Sequence, residues 1–126
     1  MPTPVGDETP TPGGPHSLAV AAGGFIFVSG QRPVDPVSRR IPEGISDQTF
    51  QVGRDLAVVL ASAGARLSDV VKVTVHLAAL QLFDEFNRAY SQLFEAPYPA
   101  RTTVGSLLRG VLVEMDVIAV CHRDAS

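Results

Sequence analysis

Residues 70 to 78 alternate without a break. Val71, Val73, Val75 and Leu77 point to one side, and Val70, Lys72, Thr74, His76 and Ala78 to the other. A period of two, rich in β-branched residues, predicts a strand with one face in a core. A second alternation runs from Val111 to Cys121. It puts Val111, Val113, Met115, Val117 and Ala119 on one face and Leu112, Glu114, Asp116, Ile118 and Val120 on the other. Two shorter β-rich runs, residues 17 to 22 and 25 to 28, flank Gly23-Gly24, which is a hairpin signal. The second run ends at Ser29-Gly30-Gln31, and a proline-containing loop follows it to Gly44.

Helical spacing begins near Ser46, which reads as the N-cap, with Asp47 in the first turn. Phe50, Gly53, Leu56, Ala57, Leu60 and Ala63 recur at intervals of three and four, and Gly64 suits a left-handed C-terminal position. Gly53 weakens a helix, so close packing of this stripe against a sheet is expected. Leu67-Ser68-Asp69 reads as a turn. Leu82, Phe83, Phe86, Tyr90, Leu93 and Phe94 predict a second amphipathic helix. Pro97 and Pro99 then force extended chain around Tyr98, and Arg101 enters a strand that runs to about residue 107. A turn at Arg109-Gly110 predicts that this strand and the last one form a hairpin. Glu114 would then pair near Gly105, roughly 13 Å along the strand from Arg101.

The order strand, strand, helix, strand, helix, strand, strand predicts an α+β sheet with both helices on one face. The other sheet face still carries valine, isoleucine and leucine. Self-association is the natural way to bury it, so a closed homo-oligomer is expected.

The chain has 126 residues, the length of one domain. We divide it into an extended or flexible arm, 1–15, and a single domain, 16–126. Net charge is −3, and the basic residues are scattered, with only Arg39 and Arg40 adjacent. That argues against nucleic acid as the main partner. Cys121 is the only cysteine, so no intrachain disulfide forms. No apolar run is long enough for a membrane span and no signal pattern opens the chain, so a cytoplasmic protein is expected.

Walker loops, G-x-G-x-x-G, H-E-x-x-H, paired C-x-x-C and G-x-S-x-G are all missing. His16, His76 and His122 lack ligand spacing, so no metal site is expected. The remaining candidates are ambiguous one by one. Arg101, at the end of a stiff proline lead-in, suits a carboxylate clamp through its planar fork. It also suits an ordinary surface position at a strand start. Glu114 and Asp116 share an apolar strand face, either as an interface-paired face or as a partly buried general base. Gly14-Pro15-His16-Ser17 can be a simple turn, Ser29-Gly30-Gln31 a simple strand end, and Asn87 a solvated helix position.

Taken together and in order, these segments resemble the RidA/YjgF family, also described as endoribonuclease L-PSP-like. The residues that carry the resemblance are Gly14-Pro15-His16-Ser17, residues 27 to 36 (FVSGQRPVDP), Gln48-Thr49-Phe50-Gln51, Ala63-Gly64-Ala65 and residues 69 to 75 (DVVKVTV). Phe86-Asn87-Arg88-Ala89-Tyr90, Pro99-Ala100-Arg101 and residues 113 to 119 (VEMDVIA) complete it. The resemblance implies a chorismate-mutase-like (bacillus type) α+β fold and a homotrimer with sites between subunits. It implies hydrolysis of reactive enamines and imines, such as 2-aminoacrylate, to 2-keto acids and ammonia without any cofactor. It assigns the substrate carboxylate to Arg101 and the water to Glu114, with His16, Ser29, Gly30, Asn87 and Thr103 lining the pocket.

Two positions depart from the family pattern. His16 stands where tyrosine is usual, and Thr103 where cysteine is common; the turn after Leu107 is also shorter. Rival readings are a non-catalytic trimer binding a small carboxylate in the same clefts, an RNA-cleaving or chaperone-like protein, and a deaminase dedicated to one degradative pathway.

Overall fold

The structure is a computed structural model and describes residues 3–4 and 14–121. His122 and the rest of the expected domain's tail lie outside the described residues, as does most of the expected arm. Six strands and two helices follow the chain. They are β1 (Thr3–Pro4), β2 (Ala19–Ala22), β3 (Phe25–Gln31), α1 (Ile45–Ser62), β4 (Val70–Leu77), α2 (Phe83–Tyr90), β5 (Ala100–Gly105) and β6 (Val113–Val120). They make one mixed sheet in the order β1-β2-β3-β6-β4-β5. The fold is α+β, with both helices on one sheet face. Val52, Leu56 and Leu60 of α1 and Phe86 and Tyr90 of α2 join Val73, Val75, Leu77, Val113, Met115 and Val117 in one core.

The glycine pair makes the hairpin that its sequence predicts. Gly23 and Gly24 have φ of 60° and 84°, and Ala22 faces Phe25 directly. Two residues with positive φ give a turn whose twist matches the strands it joins. In β1, from the N-terminal arm, Thr3 pairs with Ala21 and Pro4 with Val20.

Two bulges displace the predicted alternation. In β4, Val70 faces Ala119 while Lys72 faces Ile118, so Val71 has no opposite residue. Val70 therefore turns into the core and Val71 turns outward, 41% exposed, the reverse of the expected phase. In β3, Val28 faces Val117 and Gln31 faces Met115, so Ser29-Gly30 stand against one residue.

The helix ends also differ in detail. Gly44, with φ 83°, sits at the N-cap of α1, so Ser46 is inside the first turn; its Oγ donates to Glu85 Oε2 at 3.0 Å. At the other end Gly64 N donates to Ala61 O at 3.0 Å and Ala65 N to Leu60 O at 2.8 Å. That is a Schellman closure around a left-handed glycine, as expected. Gly53 packs against Leu93 rather than against the sheet; a Cβ there would meet Leu93 Cδ2 at 2.5 Å. α2 stops at Tyr90, and the segment to Leu93 continues as turns.

The expected β5–β6 hairpin does not form. β5 runs parallel to β4, with Arg101 opposite Val73, and β4 separates it from β6. Glu114 faces His76 instead of Gly105. The connection passes the end of β4, where Ser106 N donates to Leu77 O and Ala78 N to Leu112 O, both at 2.9 Å. The turn itself is real, with Gly110 at φ 71°. A turn fixes where the chain reverses, not which strand lies beside it.

Candidate functional site

The candidate residues fall into two groups on opposite faces of the sheet. The first lines a cleft of about 960 Å³ that contains Gly14, His16, Ser29, Gly30 and Glu114. The β3 bulge builds its centre. Ser29 N donates to Leu18 O at 2.8 Å and Ser29 Oγ to Ser17 O at 2.6 Å, which fastens the bulge to the entrance of β2. Gly30 leaves room for the Glu114 side chain, since a Cβ at residue 30 would collide with Oε1. Glu114 has no hydrogen-bond partner among the described residues, so its carboxylate is free to act on a guest. His16 N donates to Gly14 O at 2.8 Å, which curls the turn and sets the imidazole at the cleft wall.

The second group is built by α2 and β5. The Arg101 guanidinium lies 4.8 Å from the Tyr90 ring centroid, 5.5 Å from Phe86 and 5.7 Å from Phe83. Three rings thus orient the cation without using its N–H donors. No carboxylate pairs with it among the described residues. Around it, Asn87 Oδ1, Thr103 Oγ1 and Tyr90 OH are buried and have no hydrogen-bond partner among the described residues. Burial, partly opposed by the Arg101 charge, pushes the Tyr90 hydroxyl up to about 12. Several unpaired buried polar atoms around one guanidinium leave hydrogen-bonding capacity for a partner outside the chain.

One chain does not unite the two groups. Arg101 registers with Val73, whose side chain is in the core, whereas Glu114 alternates with the core residues Val113 and Met115 and so faces the other way. Arg101 and Glu114 are also two strands and three register positions apart, roughly 10 Å in each direction. The structure thus places His16, Ser29, Gly30 and Glu114 together and Asn87, Arg101 and Thr103 together.

Sequence reasoning missed several residues. Tyr90 was legible only as a core position. Asp55 lies half-buried in the cleft wall, where burial pushes its carboxyl up to about 6. It accepts from Gln51 Nε2 at 2.9 Å and from the Val34 amide. Gln48 Nε2 donates to Pro42 O at 2.9 Å and its Oε1 accepts from Leu112 N at 2.7 Å. The signal was present, because Gln48, Gln51 and Asp55 recur at helical spacing beside the apolar stripe. Among the described residues no group of three or more His, Cys, Asp or Glu side chains could hold a metal. No described helix is long and apolar enough to cross a membrane.

The family model described as endoribonuclease L-PSP matches residues 6–121. A RutC family protein of Pyrococcus abyssi is 45% identical over 116 residues, covering 90% of this chain and 91% of that protein. Protein MMF1, mitochondrial, of Saccharomyces cerevisiae is 39% identical over 121 residues, covering 94% and 83%. The crystal structure of E. coli TdcF with bound serine superposes with a TM-score of 0.85 at 30% identity, over 94% of this chain and 98% of that one. The chain belongs to the RidA/YjgF family of endoribonuclease L-PSP-like proteins.

Proposed function

We propose that this protein hydrolyses reactive enamine and imine intermediates, 2-aminoacrylate and other small 2-imino acids, to 2-keto acids and ammonia. The observation that carries this reading is the pair of half-sites. Among the described residues, a half-buried arginine without a carboxylate partner and a glutamate side chain without a hydrogen-bond partner stand on opposite faces of one chain. Self-association in a homotrimer would set the Arg101 group of one copy against the Glu114 cleft of the next. The outer sheet face supports that assembly, because Phe25 and Phe27 are each 41% exposed there.

The chemistry needs few parts. The enamine tautomerises to the imine, whose carboxylate takes the two parallel N–H bonds of the Arg101 fork. Asn87 and Thr103 satisfy their free oxygens on substrate or ordered water beside it. Water attacks the imine carbon while Glu114 accepts its proton. Glu114 hands that proton to the nitrogen to complete the carbinolamine, then takes the hydroxyl proton and passes it to the amine, so the carbonyl forms as the C–N bond breaks and both water protons leave in ammonia. The substrate is intrinsically reactive, so positioning supplies much of the acceleration. Ser29 and Gly30 shape the space beside the carboxylate, and His16 borders it. No cofactor takes part in these steps.

A net charge of −3 and the lack of an aromatic-basic platform argue against RNA as substrate. Binding without turnover would use the same Arg101 group and leave Glu114 idle. The protein is proposed to be cytoplasmic, and fractionation would show it with mitochondria if it instead shares the placement in the yeast relative's name. Ammonia and keto-acid formation from 2-aminoacrylate generated in situ decides between turnover and binding. Wild type should accelerate it, and Arg101→Ala should lose at least about 100-fold in kcat/KM with the oligomer intact. Unaccelerated hydrolysis with wild type across several imino acids would leave the binding reading in its place.

A further inference from the structure

The cleft around Glu114 is larger than a three-carbon imino acid needs, which fills on the order of a tenth of it. Its remaining wall is unusually basic. Arg32, Arg39 and Arg109 all line it, and none pairs with a carboxylate among the described residues. The one other acid in the wall, Asp55, is already engaged by Gln51 and the Val34 amide.

Each arginine is held by something specific. Arg32 comes one position after Gln31, which faces Met115, so the strand count sets Arg32 beside Glu114. Its Nη2 donates to Arg109 O at 2.7 Å, and its Nε is buried with no partner among the described residues. A buried guanidinium N–H without an acceptor is costly, and an anion entering the cleft would satisfy it. Arg39 is the sole non-glycine residue with positive φ among those described, at 65°. A tight turn imposes this conformation. Arg39 N donates to Asp35 O at 2.9 Å, and Asp35 Oδ1 accepts from Val37 N and Ser38 N at 2.8 Å each. Glycine would fit this position without strain, so the arginine stands here against backbone preference, and it lines the cleft.

We propose that Arg32, Arg39 and Arg109 form a second anion subsite, so that the preferred substrates are 2-imino acids with a second carboxylate at the far end. This deepens the hydrolase reading and rests on it for the word substrate. The first carboxylate goes to Arg101 of a neighbouring copy, the imine carbon lies at Glu114, and the distal carboxylate reaches the three guanidinium groups two or three carbons further on.

The test uses two five-carbon product analogues that differ only at the distal end, 2-oxoglutarate and 2-oxopentanoate. Calorimetry on the wild-type oligomer should show about tenfold tighter binding of 2-oxoglutarate. Combining Arg39→Gly, which suits the left-handed turn, with Arg109→Ala, which keeps the backbone acceptor of Arg32, should bring the ratio below about twofold. Equal affinities in wild type, no measurable binding of either acid at millimolar concentration, or a preference that survives both substitutions overturns the proposal. The matching imines separate this from the hydrolase reading. If 2-oxoglutarate is preferred through these arginines while neither imine is hydrolysed faster, the subsite stands and the hydrolase reading fails. If both imines are hydrolysed without preference and the analogues bind equally, the hydrolase reading stands and the subsite fails.

Discussion

Gly30 and Glu114 were separated by more than eighty residues in the sequence and had no visible relation there. The bulge in β3 brings them into contact, and only a residue without a Cβ tolerates the approach. Because the clash would involve the mobile end of a glutamate, Gly30→Ala should fold normally and displace the carboxylate. Circular dichroism should match wild type while kcat for imine hydrolysis falls at least about tenfold. Unchanged kcat would mean that the carboxylate position does not matter. Residue types were legible in the sequence, since a guanidinium after a stiff lead-in and a carboxylate in an apolar strand suggest chemistry without a fold. Their surroundings were not. The three rings under Arg101 come from a helix whose aromatic spacing reads simply as core, and the basic wall comes from loops that have no periodicity.

At the scale of elements, alternation and helical spacing located β4, α1, β6 and the glycine hairpin, because those patterns report which face of an element is buried. They do not report which strand lies next to which. That is why β5 was assigned to the wrong neighbour and why the bulge at Val71 went unseen. α1 carries a second message in Gln48, Gln51 and Asp55, which fasten the loop before it and the chain entering β6. Asp55 makes this testable. Burial pushes its folded carboxyl up to about 6 against 3.8 for an exposed aspartate, so the native state binds the proton more tightly than the unfolded state between those pH values. Stability is therefore lost as pH rises from about 4 to about 6 and stays lower above that. The full shift would correspond to roughly 3 kcal/mol, which partial exposure reduces to about 1 kcal/mol. Asp55→Asn keeps an acceptor for Gln51 and the Val34 amide and removes the charge. Its melting temperature should exceed that of wild type at pH 7.5 and converge with it near pH 4; a constant gap across that range would contradict this origin.

For the whole molecule, one chain presents two separated groups of candidate residues and, among the described residues, an exposed apolar sheet face. The apolar character of that face was visible in the sequence as the second side of the alternating strands. The opposite facing of Arg101 and Glu114 was not, because it depends on β4 lying between β5 and β6. Phe25→Glu places a charge on the exposed face, and Phe25 lines neither half-site. Light scattering should show the oligomer dissociating, and hydrolysis should fall together with it. A dissociated variant with wild-type activity would remove the need for a shared site.

The most direct measurement is complementation. Arg101→Ala and Glu114→Gln are each expected to be inactive alone. Co-expressed with different tags and purified as mixed trimers, they should place an intact Arg101 opposite an intact Glu114 at one of the three interfaces and recover about a third of wild-type activity. Mixed oligomers as inactive as either parent would show that the two residues act within one chain or not together at all.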